Sequence, residues 1–199
     1  MKKGRLVMLV GCMSSGKSRE LFHRLRRAEF AKHKTIVFKA KLDDRNDEKS
    51  IASRDGTHHV AVEVSSARDM CDLVDESHNV VGIDEVQFFN ESIIAVVDEL
   101  INRAKRVIAA GLDTNFRGEP FGSVPQLMAM ADVVRQFSAI CLVCGNKAIR
   151  TQRLIDGKPA SYDSPLIQVG GDELYEARCR NCHEVPRGEK VDLGEVVYQ

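Results

Sequence analysis

Eight residues near the start of the chain, Gly11-Cys12-Met13-Ser14-Ser15-Gly16-Lys17-Ser18, restrict what it can fold into more than any other stretch. Gly11 and Gly16 lie five apart with Lys17 and Ser18 directly after, which is the Walker A spacing. The glycines let the backbone curl until successive N–H groups point inward at phosphate oxygens. Lys17 would reach the β- and γ-phosphates of a nucleotide, and the Ser18 hydroxyl would ligate Mg²⁺. The flanks agree: Arg5–Val10 is a short apolar run of strand type, and Ser18–Leu25 continues with helical spacing. Strand, loop and helix in that order set a helix N-terminus against a bound anion.

The rest of the chain repeats the same alternation. Thr35–Ala40, His58–Val64, Asn79–Glu85, Arg106–Gly111 and Asp132–Phe137 read as strands, and Ser66–Glu76, Ser92–Ala104 and Pro125–Met130 as helices. That pattern predicts an α/β fold, a mostly parallel P-loop (RecA-like) sheet covered by helices. The charged run Asp43–Lys49 reads either as a solvated connection or as a ligand-binding loop at a strand's C-terminal edge. Leu112–Val124 holds Gly118, Pro120 and Gly122 with Phe116, Arg117 and Phe121. It reads as a mobile lid or as a loop folded onto the core.

Lys+Arg and Asp+Glu both number 29, so no global field holds nucleic acid or a basic partner. No apolar run nears the roughly 18 residues of a membrane span, and Leu6–Val10 is too short for a signal-peptide core. The expectation is a cytoplasmic protein. Four of the six cysteines form two C-x-x-C pairs, Cys141/Cys144 and Cys179/Cys182, which suit a closed tetrahedral zinc site that holds structure and does no chemistry. His183 is a spare ligand that four thiolates make unnecessary. The residues between the pairs, 145–178, exceed ribbon spacing, so loops turning at Lys158-Pro159 and Gly170-Gly171 must be inserted. A nucleic-acid-binding ribbon is the rival: Arg178, Arg180 and Arg187 favour it, and Asp172, Glu173, Glu176 and Glu184 oppose it. The texture change places a boundary near Ser138, giving a P-loop domain over 1–138 and a zinc-binding domain over 139–199.

Asp84-Glu85 ends a hydrophobic strand at the Walker B position. Asp84 would hold Mg²⁺ beside Ser18, and Glu85 would take a proton from the attacking nucleophile. The bland alternative is a pair of solvated or capping carboxylates. If Glu85 activates water the chain is an ATPase; if it activates a substrate hydroxyl, a small-molecule kinase. A short, neutral chain with an aromatic, arginine-bearing loop favours the kinase. Cys12 precedes a helix N-terminus, which suits either an oxidation-sensitive thiol or a small packing residue.

With these parts in place, the chain resembles the thymidine kinases of the small, zinc-containing (type II) family found in bacteria and animal cytosol. The resemblance rests on Asp84-Glu85-Val86-Gln87-Phe88-Phe89, on Gly111-Leu112-Asp113 with Phe116-Arg117-Gly118-Glu119-Pro120-Phe121-Gly122, and on Gly170-Gly171 leading to Tyr175. It implies that residues 11–18 and Asp84, Glu85, Val86 and Gln87 bind ATP, with Lys17 and Glu85 catalytic. It implies a thymine pocket lined by Met13, Phe88, Leu112, Phe116 and Phe121, with Asp43 and Arg45 nearby and Arg117 in a lid. Thr151 and the lasso residues Leu166, Ile167, Gln168, Val169 and Gly170 would meet the base, and Tyr175 the sugar. It also implies nucleotide salvage by 5′-phosphorylation of thymidine and deoxyuridine, feedback inhibition by thymidine triphosphate, a homotetramer, and no nucleic-acid or membrane partner. Two positions depart from the family pattern: Cys12 replaces the usual proline, and Ser14 a frequent phenylalanine.

Overall fold

The structure, a computed structural model, describes residues 3–41, 50–52, 58–168 and 174–187. The charged run 42–49, the turn 53–57 and the Gly170-Gly171 turn lie outside the described residues. In chain order the first elements are β1 (Arg5–Gly11), α1 (Lys17–Phe30), β2 (Lys34–Ala40), β3 (Ser50–Ala52), β4 (His58–Val60), β5 (Val62–Val64) and α2 (Asp69–Leu73). There follow β6 (His78–Ile83), a 3₁₀ turn (Val86–Phe88), α3 (Ser92–Asn102), β7 (Arg106–Gly111), α4 (Val124–Met130) and β8 (Val133–Phe137). The last are β9 (Ala139–Ile140), β10 (Lys147–Ala148), β11 (Arg150–Ile155), β12 (Lys158–Pro159) and β13 (Tyr175–Arg178).

Six strands form one sheet in the order β5-β2-β6-β7-β1-β8, every pairing parallel. Successive strand side chains point to opposite faces, and in β1 both sets are buried. Val7 and Leu9 pack under Leu21, Phe22 and Leu25 of α1. Leu6, Met8 and Val10 face the other way, with Met70 of α2, Val96, Val97 and Leu100 of α3, and Leu127 of α4. A sheet covered on both sides needs near-continuous apolar strands, as the sequence supplies. The strand read as His58–Val64 is two elements: β4 pairs with β3, and β5 joins the main sheet beside β2.

Helix α2 is shorter than Ser66–Glu76. The Ser66 N–H donates to Asp69 Oδ2 at 2.9 Å and the Ser66 hydroxyl to Asp69 Oδ1 at 2.9 Å, which fixes its start. At its end Asp75 accepts from Ser77 N at 2.8 Å and His78 N at 3.3 Å. That local side-chain turn competes with further helix. No helix among the described residues is long and apolar enough to cross a membrane.

Beyond β8 the chain is built from short antiparallel pairings, β9 with β10 and β11 with both β12 and β13. The hairpin after β11 turns at Asp156-Gly157, both in the left-handed region, with Lys158-Pro159 as its return strand and not its turn. This segment lies against the C-terminal edge of the main sheet, where β1, β6 and β7 all deliver their ends.

Candidate active site

The loop after β1 takes its shape from three residues of positive φ: Gly11 at 146°, Ser14 at 57° and Gly16 at 87°. A Cβ on Gly11 would lie 2.3 Å from the Phe137 carbonyl oxygen of neighbouring β8, so only glycine fits there. No side chain caps α1 at Gly16, which leaves first-turn N–H groups facing the loop's cradle. The Lys17 ammonium, buried, donates to the Cys12 carbonyl at 2.7 Å, and the Ser15 hydroxyl donates to the same oxygen at 2.7 Å. Burial pushes Lys17 below its usual range, against the pull of Glu85, Cys12 and Asp84.

One strand, β7, separates β1 from β6, whose end carries the two carboxylates. Ser18 Oγ donates to Asp84 Oδ1 at 3.1 Å. Asp84 is 3% exposed, and burial, then the charge of Glu85, raises its carboxyl to about 7. A hydroxyl and a buried carboxylate oxygen this close form a hard oxygen donor pair, which fits Mg²⁺. Glu85 sits in the left-handed region at φ 51°. Its Oε2 accepts from Gln87 Nε2, while Gln87 Oε1 accepts from Leu112 N at 3.0 Å. The buried Gln87 amide thus connects the Glu85 carboxylate to the end of β7. Val86 is fully buried and packs into the core, offering no side chain to a ligand.

Above the carboxylates lies a cavity of about 220 Å³. Met13, Phe88, Leu112, Phe116, Phe121, Thr151, Leu166, Ile167, Gln168 and Tyr175, all singled out from the sequence, line it together with Glu85. Asp43, Arg45, Val169 and Gly170 lie outside the described residues. Phe88 and Phe121 meet edge to face with centroids 6.1 Å apart. The 112–124 segment is folded onto the core in this structure. Thr114 bridges Pro120, Asn115 Oδ1 accepts from Arg117 N at 2.8 Å and Glu119 N at 3.1 Å, and Phe116 and Phe121 are buried. Glycine and proline prevent a longer element, but the buried asparagine supplies the missing backbone partners.

Arg117 does not line the cavity. It stacks over Tyr162 at 4.5 Å and donates to the Ser164 carbonyl at 3.0 Å, while the Tyr162 hydroxyl donates to Glu119 Oε1 at 2.5 Å. Tyr162 therefore ties the loop after β7 to the segment between β12 and β13. His183 is not near the thiols' centre: its Nε2 meets the Phe116 carbonyl at 2.8 Å, and burial holds its pKa below the usual value.

The four sulfur atoms of Cys141, Cys144, Cys179 and Cys182 lie within 4.8 Å of one another, with Cys144 and Cys179 at 3.6 Å. Zn–S bonds of about 2.3 Å in a tetrahedron require sulfurs about 3.8 Å apart, so the cluster fits structural zinc. Its electrostatics agree. Hydrogen bonds that Cys182 itself donates to the Cys179 and Cys144 sulfurs favour its protonated form and push it up to about 12. Burial pushes Cys141 up as well, but backbone amides aimed at its sulfur outweigh that and hold it at about 6. Four adjacent thiols ionise together only around a cation. Cys12 packs into the same cluster and donates to the Ala148 carbonyl at 3.4 Å. Burial raises its pKa, which favours the packing role over a reactive thiol.

Two contributors escaped the sequence reading. Tyr162 carries no motif. Arg153, 1% exposed, is part of the cavity wall, yet in Arg150-Thr151-Gln152-Arg153 it reads as an ordinary strand arginine. A family model described as thymidine kinase matches residues 4–183.

Proposed function

The chain belongs to the thymidine kinase family, whose reaction is the phosphorylation of thymidine, and from that membership we propose ATP-dependent transfer to the nucleoside 5′-hydroxyl. One observation carries the proposal: Glu85 lines the aromatic cavity, and its N–H donates to the same Asp84 Oδ1 that accepts from the Ser18 hydroxyl at the end of the phosphate loop. The γ-phosphoryl would sit in the cradle of residues 11–18, and the base among Met13, Phe88, Leu112, Phe116 and Phe121, with Thr151, the lasso and Tyr175 above. Asp43 and Arg45 complete the assigned binding residues, while Arg117 acts through its contacts with Tyr162 and Ser164.

Glu85 takes the proton from the 5′-hydroxyl as its oxygen attacks the γ-phosphorus. A new O–P bond forms while the bond to the bridging oxygen of ADP breaks. Lys17 offsets charge on the transferring group and on the leaving diphosphate. Ser18 and Asp84 would hold Mg²⁺, which when bound would supply further neutralisation of the phosphate oxygens. Lys17 and Glu85 act on opposite sides of one phosphorus, so positioning accounts for much of the rate. The 139–199 segment serves as a zinc-anchored cover for the nucleoside.

We extend the reading to deoxyuridine as a second acceptor, to thymidine triphosphate as end-product inhibitor in the nucleoside site, and to a homotetramer working in cytoplasmic salvage. The assay that tests the core of it follows ATP consumption with thymidine, with single-stranded DNA, and with neither, while thymidine monophosphate is measured. Thymidine-dependent product with no stimulation by DNA is expected. DNA-stimulated hydrolysis without a monophosphate product would replace the kinase by an ATPase.

A further inference from the structure

Among the described residues no charged side chain is more sheltered than Arg153, at 1% exposure. Its partners there are all uncharged oxygens. Nε donates to the Tyr175 hydroxyl at 3.1 Å, and Nη2 donates to the same hydroxyl at 2.6 Å and to the Leu166 carbonyl at 3.0 Å. Nη1 donates to the Pro165 carbonyl. The guanidinium carbon lies 4.3 Å from the centre of the Phe116 ring. Burying a charge without an anion is costly. Here the cost is met by several charge-assisted hydrogen bonds and a desolvated cation–π contact. The β11–β13 ladder needs none of this, since its register is set by backbone pairing of Arg153 opposite Tyr175.

What the guanidinium holds is the roof of the cavity. Leu166 is gripped directly, and the Tyr175 hydroxyl, gripped by Arg153, donates a hydrogen bond to the Gln168 carbonyl at 2.7 Å. Below, the same cation rests on Phe116, which the proposed function assigns to the base. A flat fork can meet three acceptors at once while stacking on a ring, which an ammonium cannot. We infer that Arg153 is a positioning residue for the nucleoside: it fixes the roof segment 165–168 against Phe116 and so sets nucleoside affinity, leaving the phosphate side untouched. The inference rests on the nucleoside-kinase reading of the pocket.

The test uses the full zinc-loaded chain with Arg153→Met, Arg153→Lys and Tyr175→Phe, each checked for zinc content and thermal melting. Initial rates are measured with thymidine and ATP varied independently, and thymidine binding is measured by calorimetry without ATP. Arg153→Met is expected to raise the thymidine KM about thirtyfold, with kcat within about fivefold and the ATP KM within about twofold of wild type. Arg153→Lys, keeping the charge and losing the fork, falls between. Tyr175→Phe gives the smallest rise, and the calorimetric Kd follows the same order. A thymidine KM within about threefold of wild type in Arg153→Met, or a loss carried mainly by kcat or shared equally by ATP, overturns the inference. If the methionine variant fails to fold, unchanged thymidine KM in the lysine and phenylalanine variants overturns it instead. Wild-type protein with no thymidine-dependent turnover would overturn the proposed function itself, a result separate from any variant's behaviour.

Discussion

The two halves of the pocket are held by different means. The half assigned to ATP is made mostly of backbone: eight consecutive residues curl through three positive-φ positions, and Ser18 in the first turn of α1 meets Asp84 just past β6 at 3.1 Å. The half assigned to the nucleoside is made of side chains drawn from separate stretches, Phe88, Leu112–Phe121, Thr151–Arg153, Leu166–Gln168 and Tyr175. Regular elements of the main sheet support the first. Irregular chain supports the second, stapled by four cysteines, a buried arginine and the Tyr162 stack. A backbone-built site tolerates substitution except at the few residues whose chemistry it uses. A side-chain-built site changes with every residue and depends on staples well outside it. Disturbing the first half should therefore lower turnover, and disturbing the second should raise the nucleoside KM.

The largest effect is expected at Lys17. Lys17→Ala should lower kcat by about 10³-fold or more while calorimetric thymidine binding stays close to wild type. Loss of thymidine binding in that variant would show that the halves are not separable. Glu85→Gln comes next, with kcat down by about 10²–10⁴-fold and nucleotide binding intact. Full activity there would remove Glu85 as the base. Cys144→Ser should bring zinc below about 0.5 equivalents per chain and raise the thymidine KM by about tenfold, with much less effect on ATP binding. Equal loss of both substrates would break the comparison at the zinc staple.

The smallest effect concerns pH and lies wholly within the phosphate half. With its carboxyl raised to about 7, Asp84 keeps a proton in the folded chain that the unfolded chain releases near 3.8. Without divalent cation the associated stability is present at pH values below 3.8 and is lost as pH rises through about 7. Asp84→Asn should abolish that loss, a difference on the order of 1–3 kcal/mol between pH 4 and pH 8 in urea unfolding. A wild-type chain that gains stability over that interval relative to the variant would reverse the assignment.

Much of the phosphate half was legible from sequence because its determinants are local. Glycine spacing, the continuous apolar run Leu6–Val10 and the carboxylates ending β6 each act within a few residues. The helix ends were less legible, since the Asp75 turn that stops α2 depends on side chains competing for backbone groups. The nucleoside half was legible through family resemblance more than through pattern. Thr151, Gln152 and Arg153 are consecutive polar residues at 1%, 0% and 1% exposure, where alternation predicts one wet face. Thr151 meets the phosphate loop, Arg153 the roof, and Gln152 pairs with the backbone of Glu184 through both ends of its amide. Only long-range closure buries such a strand on both faces, and no window of sequence contains that information.

One hydrogen bond crosses from the phosphate half to the nucleoside half. The Met13 N–H of the phosphate loop donates to Thr151 Oγ1 at 3.1 Å, and Met13 itself lines the nucleoside cavity. On the proposed assignment, a loop shared in this way would couple the affinities of the two substrates. Whatever factor bound ATP applies to thymidine affinity, bound thymidine must apply to ATP affinity, because the cycle closes. Thr151→Val, which deletes the acceptor and keeps the shape, would then shrink both factors together.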